Sequence, residues 1–181
     1  MLFRSITNQI IDAAITHAHE RIDYEFDRAG YETDQRISMI AVGTIGQLVF
    51  DFFLKSKQFP EYIHQLQAGK YDDFDFVVNN KICEIKTSAY DDTYKYLNLL
   101  YSEDQYKRGI AKEFSYCVQI FINGYNRESK LLQLEKCNQA TIIGYIPFSN
   151  IEKFKNPEPK SWGDFYKIPL KNLICIDKFQ P

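Results

Sequence analysis

The chain has 181 residues, of which 45% are hydrophobic and 15% aromatic, and its formal net charge is −2. A chain of this length fits one domain that buries about 70% of its unfolded surface, and this composition excludes a disordered chain. The small net charge excludes a global basic field for coating nucleic acid, although a local basic face is compatible with it.

Apolar spacing predicts two helices in the first third of the chain. Residues 5–26 repeat apolar side chains at helical intervals, and residues 36–56 form a second, more apolar helix. Gly43 and Gly46 interrupt the second helix at a cost of about 1 kcal/mol each, so we expect a close approach to a sheet there. Residues 61–69 fit either a short strand or a helical turn.

The rest of the chain alternates strand-like and helix-like patterns, which predicts one α/β domain over 1–181. We expect a mixed central β-sheet flanked by helices, with helix 5–26 appended to a core over 36–176. The predicted elements after residue 87 are a helix over 94–113, strands over 114–123, 131–134 and 140–146, a short helix over 147–154, a loop over 155–164 and an edge segment over 165–176.

Cysteine and histidine do not form a recognisable site in the sequence. The four cysteines are widely spaced, and Cys83, Cys117 and Cys175 lie in apolar runs, which predicts free and mostly buried thiols. His17 and His19 point in different directions on a helix, and His64 is isolated. We therefore expect the three histidines to be structural or surface residues.

The most informative stretch is residues 71–87, which reads as two short strands joined at Asn79-Asn80. Asparagine accepts the positive φ that a two-residue hairpin turn needs. In that register Asp75 faces Glu84, with Cβ atoms about 5 Å apart, and Lys86 lies on the same face because strand side chains alternate. Facing carboxylates cost stability unless a divalent cation lies between them, so the pattern predicts a metal site beside a lysine.

This arrangement contains the groups that phosphodiester hydrolysis requires. Asp75, Glu84 and the backbone carbonyl of Ile85 are expected to hold Mg²⁺, or alternatively Mn²⁺, which acidifies a water and neutralises a phosphate oxygen. Lys86 is then placed to orient the attacking water and to stabilise developing charge. Asp73 lies opposite Lys86 in this register, either as a salt-bridge partner or as an alternative ligand.

The pattern of Asp75 followed nine residues later by Glu84-Ile85-Lys86 resembles the motif of the PD-(D/E)XK nuclease superfamily. The core of that superfamily has restriction-endonuclease-like topology. The resemblance implies that Asp75, Glu84 and Lys86 form a Mg²⁺-dependent catalytic site. In that family an upstream helix often carries G-x-x-G-E with its glutamate facing the site, and here Gln47 ends the corresponding run 43–47. Phe74 stands where the family has its proline. The match spans about residues 36–176, and only the hairpin is specific.

Several further residues have two open interpretations. Gln47 is either a member of the active site or an ordinary polar position on a packed helix. Thr87 and Ser88 either donate to a phosphate or end a strand with small hydroxyls. Gln105, Lys107 and Arg108 offer a helix-borne phosphate contact or form a solvated helix face.

The sequence therefore predicts a Mg²⁺-dependent endonuclease that cleaves DNA, restriction-like or homing-like. The alternatives are a catalytically silent nuclease-fold protein that binds nucleic acid or a protein partner, an enzyme on RNA or branched DNA, and a solvated hairpin face with weak ion pairs. Cutting two strands favours a homodimer. No run of about 18 apolar residues and no signal-peptide core are found, so we expect a cytoplasmic protein without a membrane partner.

Overall fold

The structure is a computed structural model that describes residues 2–24, 31–66, 73–91, 97–156 and 164–181. The described α-helices are α1 (Asn8–Arg21), α2 (Thr33–Ser56) and α3 (Glu103–Ala111). The described strands are β1 (Leu2–Ser5), β2 (Tyr62–His64), β3 (Phe76–Val78), β4 (Lys81–Ala89), β5 (Asn98–Ser102), β6 (Tyr116–Ile122), β7 (Tyr125–Asn126), β8 (Leu131–Leu132), β9 (Gln139–Pro147), β10 (Phe165–Pro169) and β11 (Ile174–Cys175).

The largest sheet has the strand order β1-β9-β6-β4-β3-β2, and β11 also pairs with β9. Only β4 and β6 in this sheet run parallel, because α3 lies in the connection between them, and the other neighbours are antiparallel. Two smaller sheets pair β5 with β10 and β7 with β8. The protein is thus a mixed α/β fold, as the sequence predicts.

Two hydrophobic cores cover the two faces of the large sheet. The first lies under α1 and α2 and includes Ala14, Ala18, Ile45, Val49, Phe50, Phe76, Cys83, Ile85, Val118 and Ile120. The second lies under β5, β10, α3 and the 3₁₀ segment Phe148–Phe154 and includes Leu99, Tyr101, Tyr106, Cys117, Phe148, Ile151, Tyr166 and Ile168. Because β4 lies at the centre of the sheet, its alternate side chains reach different cores.

Helix α2 is the central element of the first core. It begins at a capping box in which Glu32 and Gln35 satisfy each other's backbone groups. Its length and a mean hydropathy of 1.8 over 18 residues would also allow a membrane span, but 56% of that window is buried inside the protein. A core helix passes the same test of length and composition.

The predicted close approach of α2 to the sheet is correct for one of its two glycines. A Cβ on Gly46 would lie 1.7 Å from Thr87 Oγ1, so only glycine fits against β4 at this point. A Cβ on Gly43 would have no atom within 4 Å, so that glycine faces open space. The helix therefore touches the sheet at the residue directly before Gln47.

The helix expected over 94–113 is wrong in its first half. Residues 98–102 form β5, whose alternating Leu99 and Tyr101 are buried and which pairs with β10 from far along the chain. Helix α3 begins only after Ser102, which accepts a hydrogen bond from Gln105 N–H in a capping box. Residues 92–96 lie outside the described residues.

The helix expected over 5–26 begins later, because Leu2–Ser5 pairs with β9 and Thr7 caps α1. It ends at Arg21, a 3₁₀ turn follows over Ile22–Tyr24, and residues 25 and 26 lie outside the described residues.

Most other predicted elements are confirmed with shifted ends. The strands over 114–123 and 140–146 are β6 and β9, and the helix over 36–56 is α2, which starts three residues earlier. Residues 62–64 form a strand, 131–134 contain only the two-residue β8, and the predicted helix over 147–154 is a 3₁₀ segment. The edge segment is two strands, β10 and β11, on different sheets. Residues 157–163 of the predicted loop lie outside the described residues.

The predicted free thiols are confirmed. All four cysteines are free, and Cys83, Cys117 and Cys137 are buried. Cys175 is half-buried.

Candidate active site

The hairpin turn lies where the sequence predicts it. Asn79 and Asn80 have φ values of 47° and 61°, and Val78 pairs with Lys81 across the turn. Pairing of β3 with β4 ends at Phe76, so Asp75 comes one residue before the strand. Continuing the same register by one step brings Asp75 opposite Glu84.

The Asp75 carboxylate takes the place of a strand partner for β4. Strand β4 continues beyond the end of β3, and the Ile85 N–H donates to Asp75 Oδ2 at 2.6 Å. The N–H and C=O of one strand residue point to the same edge, so the Ile85 carbonyl also faces Asp75. Asp75 and the Ile85 carbonyl thus lie together at the point where the two strands separate.

Glu84 and Lys86 form a close ion pair on the opposite face of β4 from α2. Lys86 Nζ lies 2.5 Å from Glu84 Oε1, and the two side chains are 20% and 19% exposed. Burial by itself would lower the pKa of Lys86, but the Glu84 carboxylate, by its charge and its hydrogen bond, raises that pKa above its ordinary value. Lys86 is therefore a cation at neutral pH.

The groups beneath this ion pair are neutral. Lys86 Nζ lies 4.6 Å from the centre of the Tyr101 ring, and Tyr101 Oη donates to Cys117 Sγ at 3.4 Å. Burial raises the pKa of Tyr101 well above its usual range and the pKa of Cys117 to about 12. The ionisable side chains of this centre are therefore two acids, Asp75 and Glu84, and one base, Lys86.

Gln47 joins the site from α2. Its Nε2 donates to Asp75 Oδ1 at 2.8 Å, and its Oε1 lies 3.2 Å from His64 Nε2. Gln47 thus contacts Asp75 at the candidate site and binds its carboxylate as a neutral donor. An amide at this place restrains Asp75 without adding negative charge.

His64 is a neighbour of the site that the sequence analysis missed. Its ring stacks on Phe76 with centroids 4.2 Å apart, and His64 Nδ1 lies 3.8 Å from Asp51 Oδ1. Asp51 also accepts from Tyr62 Oη at 2.7 Å. The only sequence signal is the four-residue spacing of Gln47 and Asp51, which places both on one face of α2.

A basic cleft of about 550 Å³ adjoins this centre. The charged side chains among its described lining residues are all cations, namely Arg21, Arg36 and Lys86. The neutral polar residues of the wall include Gln47, Thr87, Ser88, Gln105 and Gln119. Asp75 and Glu84 are not in the wall but contact the wall residues Gln47, Ile85 and Lys86, so the carboxylates adjoin a cationic cleft.

The remaining predicted site residues divide into two groups. Thr87, Ser88 and Gln105 line the basic cleft, although Gln105 Oε1 also accepts from Ser102 N–H in the cap of α3. Lys107 and Arg108 are exposed and are not in the cleft wall, because they lie on the solvent side of α3. Their predicted phosphate contact is therefore not supported at this cleft, and Lys107 instead pairs with Glu103 at 3.3 Å.

Asp73 does not occupy its predicted position. It is exposed, its N–H donates to Gln65 Oε1 at 3.0 Å, and its carbonyl accepts from Lys112 Nζ at 2.9 Å. Because β3 begins only at Phe76, the alternation that would place Asp73 opposite Lys86 does not extend that far.

The donor set at the strand ends fits a hard divalent cation. Two carboxyl side chains and a backbone carbonyl offer oxygen ligands, which hard cations prefer. Mg²⁺ commonly uses only one or two protein carboxylates together with water and phosphate oxygens. Within the described residues no cluster of three or more His, Cys, Asp or Glu side chains could hold a metal ion, so the site would rely on such outside ligands.

Comparison of the chain with protein-family models, with curated proteins and with solved structures finds no match.

Proposed function

We propose that this protein is a Mg²⁺-dependent endonuclease of the PD-(D/E)XK type that hydrolyses phosphodiester bonds in DNA. The observation that carries the proposal is the meeting of Asp75, Glu84 and Lys86 beside a cleft whose charged wall residues are cations. The order α2-β2-β3-β4-β5-α3-β6 supports it, because the aspartate at the start of β3 precedes the E-x-K tripeptide on the neighbouring strand β4, beneath a helix.

Each residue has a separate role in this proposal. Asp75, Glu84 and the Ile85 carbonyl would hold Mg²⁺, which when bound supplies a Lewis acid for the phosphate and an acidified water. Lys86 stays protonated beside Glu84 and stabilises negative charge that develops on the phosphoryl oxygens. Gln47 holds the Asp75 carboxylate in place through its Nε2 donor.

The cleft supplies the binding part of the reaction. Arg21 and Arg36 attract the phosphate backbone, and phosphate contacts fix the register of a nucleic acid. Because the whole chain has a small net charge, this attraction comes from local cations and not from a global basic field.

The test is cleavage of plasmid and oligonucleotide DNA in Mg²⁺, Mn²⁺ or EDTA. Wild type is expected to cut in either metal and not in EDTA, and Lys86→Ala should abolish cutting while DNA binding in Ca²⁺ weakens only modestly. Lys171→Ala, an exposed lysine outside the cleft wall, is the matched control and should cut as wild type does. Cutting that persists in EDTA or in Lys86→Ala would contradict the proposed site.

A catalytically silent binding protein is the second candidate, and the observation in its favour is Gln47. A neutral amide occupies a position next to Asp75 where the resemblance expects a third carboxylate. This candidate predicts that wild type binds DNA through the basic cleft and leaves it uncut with every metal.

A further inference from the structure

The basic cleft continues into a second, smaller cleft of about 180 Å³. The two clefts share the wall residues Ser88, Ala89, Leu100 and Tyr125. Beyond Tyr125 the second cleft adds the aromatic rings of Tyr90 and Phe121 and the cation Arg127. Together they form one path that starts at Lys86 and leads away from the catalytic centre.

The wall of this path combines cations with apolar and aromatic surface. Arg36 lines its first part and Arg127 its second, and Leu100 between them is 51% exposed. A duplex presents mainly phosphate and sugar to a protein groove, and such a surface needs no apolar wall. A single strand also presents the faces of its bases, which bind aromatic and apolar side chains.

Tyr125 has a rigid position between the two clefts. Its N–H donates to the carbonyl of Tyr90 at 3.2 Å, and Tyr90 N–H donates to Ile122 at 2.9 Å, which ties the end of β4 to β6. Gly124 precedes it with φ of 91°, where a Cβ would lie 2.8 Å from Cys137 N. The backbone of Tyr125 is therefore held next to a turn that only glycine permits, so ordering of the backbone adds little cost when a base stacks on the ring.

We propose that these two clefts form one track for single-stranded nucleic acid, with Tyr125 stacking a base between phosphates bound by Arg36 and Arg127. This inference rests on the proposed nuclease function, because the track would deliver an unpaired strand to Lys86 and the carboxylates. It names the substrate class of the enzyme as a single strand or the unpaired part of a branched or frayed duplex.

Gly43 offers a way to block the track without disturbing the fold. It lines the basic cleft, and a Cβ added there would meet no atom within 4 Å. Gly43→Leu therefore places an isobutyl group in the path of the nucleic-acid strand. Leucine is also a better helix former than glycine. The variant is expected to keep or raise the melting temperature and to lose binding.

The experiment measures binding of labelled 20-nucleotide DNA, the same RNA and the matching DNA duplex by fluorescence anisotropy in EDTA, so that no strand is cut. Wild type is expected to bind the single strand at least tenfold more tightly than the duplex. Tyr125→Ala should weaken single-strand binding by about 5- to 100-fold, and Tyr125→Phe should keep most of it because stacking needs only the ring. Phe52→Ala, an exposed aromatic outside both clefts, is the control and should bind as wild type does.

Charge and ring contributions are separable by salt. Arg127→Ala should lower the slope of log affinity against log salt by about 0.7, as loss of one phosphate contact on a single strand requires. Equal affinity for duplex and single strand, wild-type binding by Tyr125→Ala, or wild-type binding by Gly43→Leu would each overturn the track.

The two proposals fail in different ways. Duplex cutting in Mg²⁺ without single-strand preference would overturn the track and leave the nuclease intact. Single-strand binding that depends on Tyr125, with no cutting in any metal, would confirm the track and overturn the enzyme. Comparing the affinities of the DNA and RNA single strands shows whether the track accepts a 2′-hydroxyl.

Discussion

The contact of α2 with β4 can be tested with alanine at the two glycines of the helix, since only one of them faces the sheet. Gly43 and Gly46 lie within one turn of each other, and alanine improves the helix propensity of both positions by about 1 kcal/mol. Their surroundings differ, because a Cβ on Gly43 meets nothing within 4 Å and a Cβ on Gly46 lies 1.7 Å from Thr87 Oγ1.

The expected effects have opposite signs. Gly43→Ala should gain about 1 kcal/mol, which for a chain of this length raises the melting temperature by about 2–4 °C. At Gly46 the Thr87 Cβ itself lies 2.8 Å from the added atom, so rotation of the Thr87 side chain cannot relieve the clash. Overpacking of this kind costs about 1–3 kcal/mol, which exceeds the propensity gain of about 1 kcal/mol, so we expect a net loss of about 1 kcal/mol or about 2–4 °C.

The assay is thermal and urea unfolding of both single variants and of Gly46→Ala combined with Thr87→Ala. The double variant removes two of the three close atoms and should recover part of the loss, which a double-mutant cycle measures as a coupling between the two positions. Equal stabilisation by Gly43→Ala and Gly46→Ala, with no coupling to Thr87, would refute the packing that brings Gln47 to Asp75.

Three further predictions concern the charged centre. Millimolar Mg²⁺ or Mn²⁺ should raise the melting temperature of wild type by mass action, and Glu84→Gln should lose most of that rise; equal shifts in both proteins would place the cation elsewhere. Gln47→Glu puts a third carboxylate beside Asp75 and should enlarge the Mg²⁺-induced rise in melting temperature. If wild type does not cut DNA, this variant should restore cutting in the plasmid assay. A variant that binds DNA but still does not cut it would favour a recognition role. The pKa of Lys86 is raised above 10.5 by Glu84 against the opposing effect of burial, so the stabilisation from this pair is complete below pH 10.5 and is lost as the pH rises through the folded-state pKa. The difference in unfolding free energy between wild type and Lys86→Met should therefore stay constant from pH 8 to about pH 10 and decline above 10.5, as urea titrations at each pH would measure; a decline that begins at pH 8 would contradict the raised pKa.

The hairpin could be predicted from the sequence because its determinants are local. Asn79-Asn80 accepts positive φ, and a two-residue turn leaves one register for the strands on either side. Two helices and the central strand β6 were also predictable, since their apolar periods are long and regular. The strand over 98–102 was not, because its partner β10 lies more than sixty residues away and its short run also fits a helical pattern.

The positions of Asp75, Glu84 and Lys86 relative to one another on the hairpin were thus determined by the sequence alone. The alternation of strand side chains and the length of the turn are both properties of the local chain. The tertiary structure decided which groups surround them. Packing of Gly46 on Thr87 brings Gln47 to Asp75, and it places His64 behind Gln47. The cations of the basic cleft lie on three separate elements, α1, α2 and β4, so no spacing in the sequence predicts the cleft. A site assembled from distant segments depends on how helices and strands pack, and that packing is settled by the shape of the whole core rather than by any local pattern.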